Sequence, residues 1–144
     1  MFGQDRNELR RMFFATWRKY RAHAPMEPLE QTIAHIIAQH PEYHALLEDE
    51  DAYLTRDYLP EMGQTNPFLH MAMHIAIQEQ LGTDRPAGVR EAYQALLTRF
   101  GDPHAVEHDM MECLAEALWQ AQRHGLPPDD TAYLACLRLR GAGK

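Results

Sequence analysis

The sequence predicts an all-α fold, a single-domain multi-helix bundle of about seven or eight helices. Three observations lead there. Apolar residues recur at three- and four-residue spacing through most of the 144 positions. Proline and glycine stand where helices should begin and end, at Asn66-Pro67, Asp102-Pro103, Gly101 and Gly125. β signals are nearly absent, with few Val or Thr and no alternating apolar run.

Each element follows from local chemistry. Asp5 can cap a first helix running to about Arg21, with Leu9, Phe13, Trp17 and Tyr20 at core spacing and Met12 beside them. Pro28 suits the first turn of a second helix that buries Leu29, Ile33, Ile36 and Ile37. His40-Pro41 ends it, and Pro41 starts a short helix over about Glu42 to Glu48. Asp49 to Tyr58 is a weaker helical stretch, and Leu59 to Thr65, with Pro60 and Gly63, reads as loop. Asn66-Pro67 caps and opens a helix that reaches about Leu81 and stops at Gly82. After a loop to Gly88, a helix carries Val89, Tyr93, Leu96, Leu97 and Phe100 on one side. Asp102-Pro103 opens the longest helix, which runs to about His124 and stops at Gly125. Asp129 or Asp130 caps a last helix with Tyr133, Leu134 and Leu137 inward. The domain is expected over residues 1–140, with 141–144 a frayed tail.

Composition narrows the function classes. Lys+Arg number 14 against 21 Asp+Glu, for a net charge of −7, which argues against a generally basic nucleic-acid binder. No apolar run reaches membrane-spanning length and no signal-peptide segment stands near the start, so a cytoplasmic protein without membrane contact is expected. Cys113 and Cys136 form no C-x-x-C pair and sit at apolar helical spacing; they read as buried thiols in a reducing compartment. Nucleotide-binding glycine loops and the G-x-S-x-G nucleophile motif are missing.

Histidine is the unusual entry in the composition: protonating all 9 would move the charge from −7 to +2. Three pairs are four residues apart: His40 with His44, His70 with His74, and His104 with His108. Random placement gives roughly 0.5 such pairs. Four-residue spacing puts both rings on one helix face, where they can hold one ion. The two later pairs lie in the first turns of strongly patterned helices. The proposed shared site takes His70 and His74 from one helix and His104 and His108 from another, with Glu107, Glu79 or Glu112 completing or orienting it. The ion would be a transition metal, zinc or iron, since imidazole alone does not name it. His40 and His44 flank a helix junction and are expected to bond free carbonyls there. His23, His35 and His124 have no partner at ligand spacing and read as surface residues.

Two motif readings fail on their own terms. His104-Ala-Val-Glu107-His108 fits the H-x-x-E-H of inverzincin peptidases, but those enzymes are larger and need a ligand far downstream, whereas 36 residues follow His108. Ferritin-like di-iron sites need paired E-x-x-H motifs, and no histidine here has Glu three residues before it.

Residues 1–23 hold six basic side chains (Arg6, Arg10, Arg11, Arg18, Lys19, Arg21) against Asp5 and Glu8. That is a local charge of +4, and the rest of the chain carries −11. This face is expected to be solvated or paired within the protein, with an external acidic partner the other reading. Nucleic acid is not the expected partner, because Phe13, Trp17 and Tyr20 are assigned to the core.

Specific strings carry a resemblance over nearly the whole chain. H-P-E-Y-H (His40 to His44), N-P-F-L-H-M (Asn66 to Met71), H-x-x-I-x-E-Q (His74 to Gln80), E-H-x-M-M-E-C-L (Glu107 to Leu114) and F-G-Q-D-R (Phe2 to Arg6) resemble the domain of unknown function 1841, a bacterial, largely proteobacterial family. The resemblance implies a short stand-alone cytosolic protein and no particular activity, so whether the chain is an enzyme stays open. The leading expectation is a metal-binding helical protein. The alternative is a non-enzymatic interaction protein, homodimeric or otherwise oligomeric, whose histidines pair with carboxylates and respond to pH.

Overall fold

The computed structural model describes residues 6–56, 58 and 66–143. Eight α-helices and a 3₁₀ turn make up its regular structure, with no strand among the described residues, as the pattern predicts. They are α1 (Arg6–Arg21), α2 (Pro28–Ala38), the 3₁₀ turn (Pro41–Tyr43), α3 (His44–Leu47), α4 (Glu50–Tyr53), α5 (Pro67–Thr83), α6 (Val89–Phe100), α7 (Pro103–His124) and α8 (Asp130–Gly141). The expected Asp5 cap and the 59–65 loop lie outside the described residues. Contacts group the chain into two compact units, Met1–Ile75 and Ala76–Lys144, and the division falls inside α5.

The first unit is built on α1 and α2. Phe13, Phe14 and Trp17 of α1 pack with Ile33, Ile36 and Ile37 of α2, Leu47 of α3, and Phe68, Met71 and Ile75 of α5. Tyr20 departs from the expected core row. It is 43% exposed and stacks on Trp17, with ring centroids 5.3 Å apart. α1 ends one residue later, so no further turn covers that ring. Leu29, in the first turn of α2, is also exposed. Three basic residues of α1 pair with acids of the same unit. Arg18 bonds Glu50 at 2.8 Å, Lys19 bonds Glu30 at 2.7 Å, and Arg21 bonds Glu48. Arg10 is buried, and its guanidinium donates to the carbonyls of Leu54 at 3.0 Å and Arg56 at 2.7 Å, just past α4.

In the second unit, α6, α7 and α8 enclose Ile77, Leu96, Val106, Met110, Leu114, Tyr133 and Leu137. α5 does not stop at Gly82. That residue keeps helical backbone, and Arg90 supplies the cap instead, donating Nε to Leu81 O at 2.7 Å and a terminal nitrogen to Gly82 O at 2.8 Å. Gly101 (φ 79°) and Gly125 (φ 66°) end α6 and α7 in the left-handed conformation, where a Cβ is strained. Phe100 is 46% exposed beneath the Arg99 guanidinium, not on the inner row. α8 continues through Gly141, which lies against the Ala95 Cβ at 3.3 Å.

The cysteines correct a sequence expectation. Cys113 of α7 and Cys136 of α8 form a disulfide, with Cα atoms 5.9 Å apart, and no free thiol remains. The short connection 125–129 packs α8 against α7, so residues 23 apart in sequence meet at one level of the helix pair. Spacing tests on neighbouring residues do not detect such a pairing. A disulfide also weakens the argument for a reducing compartment. Among the described residues, no helix is long and apolar enough to cross a membrane.

Candidate metal centre

The first unit brings three imidazoles together. Asn66 opens α5, its Oδ1 accepting from the amides of Phe68 at 3.0 Å and Leu69 at 3.1 Å. One turn on, His70 and His74 share a helix face as their spacing requires, and their Nε2 atoms stand 3.2 Å apart. His74 is fully buried and His70 half-buried. The third ring is His40, at the end of α2 and 2% exposed. Its centroid lies 5.1 Å from His70 and 4.7 Å from His74.

His40 is held in one orientation. Its Nδ1–H donates to Ile36 O at 2.7 Å, a carbonyl in the last turn of α2 that also accepts from the Gln39 amide at 3.1 Å. That bond puts the ring proton on Nδ1 and makes Nε2 the lone-pair nitrogen, the pattern found in metal-ligating histidines. Tyr43 backs the cluster, stacked on His40 at 5.5 Å and edge-on to His70 at 6.1 Å. Burial, then the Glu42 charge, holds the Tyr43 phenol above its ordinary range. Candidate ligand atoms of the three rings lie within 4.8 Å of one another.

Chemically, this group could hold a metal ion. Two nitrogens on a tetrahedral zinc at about 2.05 Å are separated by about 3.3 Å, close to the observed His70–His74 spacing. Neutral imidazoles satisfy such an ion without a buried anion.

The other pairs behave differently. His44 is drawn away from His40: its Nε2–H donates to Ile37 O at 2.8 Å and its ring lies 4.4 Å from that of Trp17. Both junction histidines therefore bond carbonyls as expected, but His40 also joins the cluster, which the sequence reading missed. The i, i+4 signal was present at His40; its nearness to α5 was not readable from spacing. In the second unit, His104 and His108 pack edge to face at 4.3 Å. Glu107 is 6% exposed and accepts from Gln78 Nε2 at 2.9 Å. Glu112 is exposed and bonds Arg140 at 2.7 Å, and Glu79 is exposed on α5. His23, His35 and His124 are on the surface, as expected.

Comparison with known proteins gives one family. Residues 5–139 match a domain of unknown function (DUF1841). No curated protein matches the chain, and no solved structure does.

Proposed function

Because the chain belongs to the DUF1841 family, whose description carries no activity, we propose a function from the site itself: a transition-metal-binding helical protein whose ion is held by His40, His70 and His74. The observation that carries this reading is the pair of Nε2 atoms 3.2 Å apart on α5, beside a buried His40 whose tautomer is fixed by Ile36 O. Glu112 and Glu79, both exposed, are left out of the shell.

Three imidazoles fill three positions of a tetrahedral shell and leave the fourth for water or a further ligand. Zinc fits three imidazoles without a carboxylate better than iron, whose facial sites take two histidines and a carboxylate.

The test is elemental analysis of untagged protein, followed by thermal unfolding with and without a strong chelator. The expected result is about one zinc per chain and a lower melting temperature after chelation. Metal-free protein that takes up neither zinc nor iron, with a melting temperature indifferent to chelator, overturns the proposal.

A further inference from the structure

A cavity of about 390 Å³ lies between α7 and α8, and the disulfide forms part of its wall. The two sulfur-bearing residues differ in access. Cys113 is 1% exposed, whereas Cys136 is half-buried and borders the same cavity. Charge at the opening is one-sided. Among the described residues, Glu116 and Asp129 line it, His124 is its one basic residue, and no lysine or arginine borders it. Both acids are fixed. Glu116 accepts from Gln120 at 3.0 Å, and Asp129 caps α8 through the Ala132 amide at 3.1 Å.

We propose that this cavity is a thiol–disulfide exchange site that admits small neutral or cationic thiols, with Cys136 as the attacked sulfur and Cys113 as the resolving thiol. Exchange needs a thiolate to reach one sulfur while the other leaves, so access selects the target. The incoming thiolate sulfur bonds to Cys136 Sγ. The Sγ–Sγ bond breaks, and Cys113 Sγ keeps the electron pair and takes a proton from water. The reverse step needs only Cys113, which as a thiolate attacks Cys136 Sγ and expels the small thiol. One disulfide is conserved in each step, so no further oxidant or reductant is required. The acidic lining repels anionic thiols such as glutathione and favours cationic ones such as cysteamine.

Opening the disulfide does not release α8. Arg140 on α8 bonds Asp109 and, at 2.7 Å, Glu112, both on α7. Gly141 stays against Ala95 and Leu137 stays in the core. The exchange therefore belongs to the folded protein.

The experiment uses cystamine and glutathione disulfide on the single-cysteine variants Cys113→Ser and Cys136→Ser, read by intact mass. Cys113→Ser is expected to gain one cysteamine at Cys136, about tenfold faster than it gains glutathione at low salt, with the ratio falling towards one as salt rises. Cys136→Ser, whose remaining thiol is buried, should react about 100-fold more slowly until denatured. Should either variant fail to fold, acid-quenched reaction of the wild-type protein with limiting cysteamine gives the same answer by peptide mapping, the adduct residing on Cys136. Equal reactivity of the two thiols, glutathione disulfide as fast as cystamine at low salt, an adduct on Cys113, or air-purified protein with two free thiols would each overturn the proposal.

Discussion

The Nε2 atoms of His70 and His74 face each other at 3.2 Å across one turn of α5. Without an ion, one ring must donate a proton to the other; with one, both lone pairs point at the metal. A single ion therefore needs both rings. His70→Asn and His74→Asn should each weaken zinc binding by more than about 100-fold, beyond what the loss of an outer hydrogen-bond partner costs. Competition against a chromophoric chelator measures this. An affinity within about tenfold of wild type for either variant would remove the pair from the site.

His40 and His44 make a matched comparison, since both bond carbonyls of α2 and only His40 lies against His70 and His74. His40→Asn should lose metal affinity as His74→Asn does. His44→Asn should keep the affinity and cost only the bond to Ile37 O, about 1 kcal/mol of stability. Metal titration and urea unfolding of the two variants separate the cases. Equal metal affinities would mean that His40 is a helix-end residue and nothing more.

The difference between those two residues marks how far the sequence could be read. The helices were legible because their starts and stops are local: Asn66 before Pro67, Asp102 before Pro103 and Gly125 after His124 lie within a turn of what they control. The His70–His74 pair was legible for the same reason, as four-residue spacing fixes a shared face. His40 meets those rings across 30 or more residues of chain, and no periodicity encodes that approach. The Cys113–Cys136 bond and the Arg90 cap on α5 are likewise relations between elements. Glu112 stands one turn from His108 in sequence, whereas its Arg140 partner is on another helix and is not readable from spacing.

Arg10 shows a buried cation used as backbone glue. One of its terminal nitrogens donates to the Leu54 and Arg56 carbonyls, and its guanidinium carbon sits 4.6 Å from the centre of the Phe68 ring. Arg10→Met keeps the apolar stem but strips both carbonyls of a donor, and should cost about 2–4 kcal/mol. Arg10→Lys should recover only part of that, because a point charge cannot stack flat on Phe68 while bridging two carbonyls. Urea unfolding gives both values. A loss below about 0.5 kcal/mol for Arg10→Met would mean that water replaces the guanidinium without penalty.

Tyr133 gives the protein an alkaline limit. Its hydroxyl donates to Gln80 Oε1 at 2.6 Å, and the residue is 3% exposed. Burial raises its phenol far above the ordinary range, the Gln80 bond offsetting only part of that effect. In the unfolded chain the phenol releases its proton near pH 10, while the folded protein holds it. The folded state then binds more protons than the unfolded one, so stability must fall as pH rises above about 10. The slope attributable to Tyr133 approaches about 1.4 kcal/mol per pH unit and is absent at neutral pH. Tyr133→Phe should lose about 1 kcal/mol at pH 7, from the unpaired Gln80 oxygen, and show a flatter decline between about pH 10 and 12. Denaturant unfolding at closely spaced pH values tests this. Parallel alkaline slopes for wild type and Tyr133→Phe would assign the decline to other groups.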